Sequence, residues 1–186
     1  MSAALRARIA TVRVWDPFVR AFHWSLALSF AVAWLSGEGP ERLHELAGYA
    51  TGALVIARVT WGFLGTGYAR FSQFVRSPAA VVDYLKSVAA GSERRFIGHN
   101  PAGGAMIVAL LASLAATAVT GWMLTTDAFW GSTFVQRLHS ALAHGILLLA
   151  LAHICGVALA SLRHRENLVR AMVIGDKRAP GPGDVT

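Results

Sequence analysis

One cysteine in 186 residues, Cys155, excludes an internal disulfide and any cysteine-built metal site; a small apolar packing role suits it. Charge is also scarce. Asp, Glu, Lys and Arg together make 15% of the chain against 55% hydrophobic residues, where a soluble domain carries about a quarter charged. Acid is the scarcer sign, with 10 Asp and Glu against 17 Lys and Arg. Within the apolar stretches it almost disappears, which removes paired-carboxylate chemistry there. No Ser-His-Asp constellation, P-loop, internal repeat, low-complexity segment or second soluble domain can be found in the sequence.

What is present is apolar sequence in four long runs, at about 17–36, 43–64, 101–125 and 134–162. Each is long enough to cross a hydrocarbon core of about 30 Å as a helix, and helices satisfy their own backbone where no water is available. The expected fold is all-α, an integral membrane four-helix bundle forming a single domain over 1–178, with 179–186 as a flexible tail. Asp16-Pro17 and Asn100-Pro101 read as cap and first-turn proline, and Thr133 with Gln136 as a capping box. The first run lacks a small-residue cleavage site and leads into further spans, so it is read as a span and not a cleaved signal. Between runs two and three, Ser77-Pro78 opens a stretch ended by Gly91. Val81, Val82, Leu85 and Val88 there fit either an amphipathic helix on the membrane surface or an ordinary loop helix.

The basic residues sort by side. Arg6, Arg8, Arg13, Arg20, Arg70, Arg76, Lys86, Arg94, Arg95, Arg163, Arg165, Arg170, Lys177 and Arg178 fall on one side of the four runs. Arg42 and Arg137 fall on the other, and Arg58 lies inside run two. This asymmetry predicts both termini in the cytoplasm. It accounts for the formal charge of +7 through topology and contact with anionic lipid headgroups, so no nucleic-acid partner is expected.

The histidines carry the chemistry. His139 and His153 are 14 residues apart, close to four full turns, so they share a face about 21 Å apart along the axis. His144 points elsewhere. With run one rising from the cytoplasm, His23 lies about two turns into it, while His44 opens run two at the opposite surface. The four therefore form two levels: His23 with His153 on the cytoplasmic side, His44 with His139 on the periplasmic side. Two imidazoles on opposite faces of a porphyrin ligate a haem iron, and a four-helix bundle can hold such a plate. The expectation is two bis-histidine haem b groups. Gly48, Gly52, Gly103, Gly104, Gly121, Gly145 and Gly156 give room for a plate or simply for close helix packing. Arg58, on a face similar to that of His44 and level with the deeper pair, is a candidate partner for a propionate, or snorkels to the interface. Arg20 is a second candidate, or a positive-inside anchor. His164 reads as an interfacial cation; His99 is a loop residue or borders a quinone pocket.

The stretches RAFHW (20–24), LHELAGYATGALVIARVTWGFLG (43–65), ARFSQFV (69–75), GHNPAGG (98–104) and RENLVRAMVIGDK (165–177) together resemble the prokaryotic cytochrome b561 and nickel-hydrogenase b-type cytochrome family, from about Val12 to Lys177. The resemblance implies a four-helix haem protein of the bacterial inner membrane that exchanges electrons with quinone, with ligands at His23, His44, His139 and His153. It implies a periplasmic partner such as a c-type cytochrome or a hydrogenase-like oxidoreductase. Alternatively, it implies a stand-alone superoxide or quinone oxidoreductase. A metal-handling transporter would need ligands gathered on one ion, whereas these levels stand far apart.

Overall fold

The computed structural model describes residues 11–186; Arg6 and Arg8, counted above in the charge asymmetry, lie outside the described residues. Four long helices occupy the four apolar runs: α1 (Pro17–Leu35), α2 (Glu41–Leu64), α5 (Pro101–Leu124) and α6 (Thr133–Arg163). Between α2 and α5 come a 3₁₀ turn at Gly67–Ala69, the short α3 (Phe71–Phe74) and α4 (Pro78–Ala89); α7 (Leu168–Ile174) follows α6.

Caps set several of these boundaries. Asp16 accepts from Val19 N at 2.8 Å and Asn100 from Gly103 N at 2.7 Å, each just before a proline at the first helical position. Ser77 does the same for α4. At α6 the cap is Ser132, whose hydroxyl accepts from Val135 N; Thr133, expected as the cap of a capping box, is instead the first helical residue. The serine one position earlier competes for the same first-turn amides.

Among the described residues, three helices are long and apolar enough to cross a membrane: α1, α5 and α6. The helix over the second run has the length, 24 residues, but its small and polar residues, among them Gly48, Tyr49, Thr51, Gly52 and Arg58, dilute its apolar character. Outward-facing Leu28, Ile56, Phe63, Leu148 and Leu162 are all exposed, as expected of side chains solvated by lipid.

The helices pack in the order α1–α2–α5–α6. Ser29 Oγ donates to Ala47 O at 2.8 Å and meets Thr51 Oγ1 at 2.8 Å, clasping α1 to α2. Backbones of α6 stay apart from α1 and α2, and that gap is where all four paired histidines face one another. In the middle of the bundle Val55, Leu111, Leu114 and Ile146 form a buried cluster with Phe22, Leu26 and Phe30 against it. Ile146 is seven residues from both His139 and His153, so this apolar plug separates the two levels.

A cap built from the segment before α1 and the segment after α6 closes one end of the bundle, and it is an addition to the all-α expectation. Strand β1 (Thr11–Arg13) pairs antiparallel with β2 (Asp176–Arg178). Val14, Trp15, Ile97 and Ala171 form a second core there. Gly175, at φ 94°, turns α7 into β2, and its carbonyl accepts from both Val14 N and Trp15 N. A Cβ at this position would stand 2.8 Å from Trp15 O, so glycine is required both by the left-handed backbone and by the contact.

The last residues, expected as a flexible tail, are instead tied to this cap. Val185 N donates to Arg95 O and Val185 O accepts from Ile97 N. Asp184 pairs with Arg95, which also grips Glu166 through Nε (3.2 Å) and NH2 (2.7 Å). Lys177 Nζ donates to Phe96 O and Ile97 O. Burial alone would raise the Glu166 carboxyl, but the Arg95 and Arg178 hydrogen bonds and the Lys177 charge hold it below its usual range. A carboxylate depressed in the fold lends stability that is present above its unfolded pKa and is lost as pH falls through the lower, folded value. Acidification below the ordinary carboxylate range is therefore expected to loosen the tail, seen as lost amide protection at Ile97 and Val185. Arg95 is only 5% exposed, so Arg95→Ala removes the buried cation that Glu166 and Asp184 share, leaving Glu166 to Lys177 alone, and is expected to cost about 3 kcal/mol, read as a lowered thermal midpoint.

Candidate functional site

Helix α6 places two imidazoles on the open gap, and α1 and α2 answer with one each. His23 and His153 stand with ring centroids 6.4 Å apart, His44 and His139 with centroids 6.0 Å apart. With metal–imidazole bonds of about 2 Å and roughly 1 Å from ring nitrogen to ring centre, two rings clamping one metal ion stand about 6 Å apart. Both pairs have that spacing, and within neither pair do the rings hydrogen-bond each other.

The far pair, His44 with His139, also has its protonation set by its neighbours. His44 Nδ1 lies 2.8 Å from Ala33 O, and His139 Nδ1 lies 3.1 Å from Thr117 O. A carbonyl can only accept, so each Nδ1 carries the proton and donates. In a neutral ring Nε2 is then a bare lone pair, the form that binds a metal. Thr120 Oγ1, itself donating to Ala116 O at 3.0 Å, lies 3.1 Å from His139 Nδ1 and adds a second acceptor. A cavity of about 750 Å³ opens between these rings, walled by Phe30, Trp34, Gly48, Leu114, Ala118 and Gly121 among others, within the size range of cofactor sites. Gly48 has nothing within 4 Å of where a Cβ would stand, so its bare face is open space; at Gly121 a Cβ would come 3.1 Å from His139 Cε1.

The near pair, His23 with His153, lies toward the termini and is half-buried. His23 Nδ1 is buried without a partner, and Trp24 meets the ring edge-on at 5.0 Å. Arg58, expected near this level, is 3% exposed on α2. Its NH2 donates to Ala69 O at 3.1 Å, its guanidinium lies 5.5 Å from the Phe71 ring centre, and NH1 has no partner. Arg20 NH1 donates to Val173 O at 2.7 Å, while its buried Nε is unpartnered. Unsatisfied buried cationic donors suit an anionic partner such as a carboxylate.

The structure adds residues that sequence reasoning left out. Thr117 and Thr120, one turn apart beside Gly121, hold His139; that Thr-x-x-Thr-Gly pattern was the available signal. His144, set apart by its angle on α6, nonetheless lines the far cavity, donating from Nδ1 to Ser140 O at 2.7 Å and meeting Trp34 edge-on at 5.0 Å. Helix α1 brings Trp34 to it, which a reading of α6 alone does not show. His99 is enclosed between Trp15 (4.5 Å) and Phe74 (4.9 Å). Burial above all, then the charges of Arg58 and Lys177 and, least, His153, push its imidazole down to about 3, so it is neutral at physiological pH. Gly104, expected to make room for a plate, serves packing: a Cβ there would collide with the Phe74 carbonyl.

Among the described residues, no three His, Cys, Asp or Glu side chains gather as a metal-ion site; the histidines work in twos. The family described as prokaryotic cytochrome b561 matches residues 14–175. The chain belongs to that family. No curated protein and no solved structure gives a match. As a cytochrome b561, the protein is a membrane b-type cytochrome of electron transfer, and b-type haem binding comes with the family. The cytochrome's own residues fit such a group: ring spacing, Nδ1-protonated far histidines and unpartnered arginine donors are all present.

Proposed function

We propose that this cytochrome is a four-span, di-haem electron relay of the bacterial inner membrane, with both termini cytoplasmic. It passes single electrons between a periplasmic redox partner and the quinone pool. His23 and His153 hold the cytoplasmic-side iron, and His44 and His139 the periplasmic-side iron. The observation that carries this reading is the pair of centroid distances, 6.4 and 6.0 Å, at two separate levels of one bundle. When bound, haem supplies the one-electron chemistry; the protein supplies ligation, spacing and electrostatics.

The roles of the side chains follow from their partners. Ala33 O and Thr117 O fix the tautomers of His44 and His139 and orient the rings. Ile146, Val55, Leu111 and Leu114 keep water from the space between levels. Arg58 and Arg20 hold propionate charge at the cytoplasmic-side group. Arg58 lies inside the second helix, and a buried guanidinium at membrane depth requires such a partner.

The relay is tested in sealed vesicles containing the purified cytochrome, with a quinol in the bilayer and a membrane-impermeant one-electron acceptor on the face opposite the termini. The acceptor is expected to be reduced only where the cytochrome is present, and His44→Ala is expected to abolish the signal. Equal reduction with and without the protein would count against the relay.

A further inference from the structure

The two histidine pairs stand in opposite electrostatic surroundings. Among the described residues, the buried side-chain atoms without a partner are Arg20 Nε, His23 Nδ1, Arg58 NH1 and His99 Nδ1. All four lie in the half of the bundle that holds His23 and His153. Arg20 is on α1 one turn before His23. Arg58 and His99 meet on Phe74, the guanidinium 6.0 Å and the imidazole 4.9 Å from its ring centre. Asp16, the nearby acid, has both oxygens engaged, one by Val19 N and the other by Trp61 Nε1 at 3.1 Å.

The far cavity is the reverse. Its wall contains Glu38, Glu41 and Glu45 and no lysine or arginine. Arg42 and Arg137 belong to the same end, but neither lines the cavity. His144 is the sole non-ligand imidazole on that wall, and its Nδ1 proton is committed to Ser140 O.

A redox centre that takes up an electron gains one negative charge. A guanidinium held in low dielectric favours that reduced state, because a low dielectric enlarges the interaction at a given distance; carboxylates disfavour it, Glu45, the half-buried one of the three, more than the exposed Glu38 and Glu41. We infer that the arginine-flanked His23–His153 centre has the higher reduction potential and the carboxylate-walled His44–His139 centre the lower, so that Arg58 sets the level on which an electron comes to rest. This rests on the two-haem reading above. One electron moves and no bond is made or broken: the periplasmic-side centre is oxidised as the cytoplasmic-side centre is reduced.

Potentiometric titration of the purified holoprotein tests this, with His153→Ala, which keeps the far centre alone, assigning the two midpoints. The cytoplasmic-side centre is expected to hold the electron at least tenfold more tightly, about 59 mV for one electron. Arg58→Gln is expected to erase about tenfold of that preference by lowering the near midpoint, and Arg58→Lys to keep most of it. Glu45→Gln, on the cavity wall, is expected to raise the far midpoint and leave the near one in place. Two bound haems titrating in the reverse order would overturn the inference alone, as would a near midpoint unmoved in Arg58→Gln. Should Arg58→Gln not fold, the wild-type order and the Glu45→Gln shift decide. A wild-type protein without haem overturns the underlying reading and this inference with it.

Discussion

His153→Ala is expected to lower the haem content of the purified cytochrome from two per chain to about one, with the remaining haem still bis-histidine. His153 and His23 face each other from α6 and α1, so removing one leaves a single imidazole and an open gap where a second bond had been. The far pair does not depend on either. His44 and His139 are oriented by Ala33 O, Thr117 O and Thr120 Oγ1, and the Val55–Leu111–Leu114–Ile146 cluster stands between the levels. The measurement is the haem-to-protein ratio with the reduced-minus-oxidised spectrum. Loss of both haems would mean that the levels are one unit, and loss of neither that His153 is no ligand.

Gly121→Leu is expected to do the opposite, emptying the far site while the near one stays filled. A Cβ at position 121 would stand 3.1 Å from His139 Cε1, the ring carbon between its two nitrogens. Contact so tight forces the ring to move, and a leucine continues into the cavity that the rings enclose. Overpacking of this kind costs about 1–3 kcal/mol in an ordinary core, and here it also displaces the lone pair that would bind iron. Gly145→Ala on α6 is the control, because nothing lies within 4 Å of its added carbon; it is expected to retain both haems. Spectra of the two variants on equal protein separate the outcomes. A Gly121→Leu protein with full haem content would place the far group elsewhere.

Which parts of this were legible in the sequence follows from the range of the forces involved. The four long helices are local objects. Their apolar runs and the Asp16-Pro17 and Asn100-Pro101 caps are written within a few residues of each boundary, and the helices begin and end within two residues of the expected bounds. The pairing of histidines by level was legible because helix rise converts sequence separation into depth, and the centroid distances agree with it. The cap was not legible. Thr11 pairs with Arg178, and Arg95 reaches Glu166 and Asp184, contacts between residues so distant in sequence that no periodicity announces them. The tail looked free because Pro, Gly and Asp read as disorder unless a partner such as Arg95 is known to wait for them. His144 was misplaced for a related reason: its angle on α6 was read correctly, but the cavity wall it completes belongs to Trp34 on another helix.

The most direct test of the account is the iron and haem content of the purified holoprotein together with its response to carbon monoxide when reduced. Two haems per chain, neither of which binds carbon monoxide because both axial positions are taken by imidazole, is the expected result. One haem per chain, or a reduced centre that takes up carbon monoxide readily, would contradict the paired clamping of two irons between His23 and His153 and between His44 and His139.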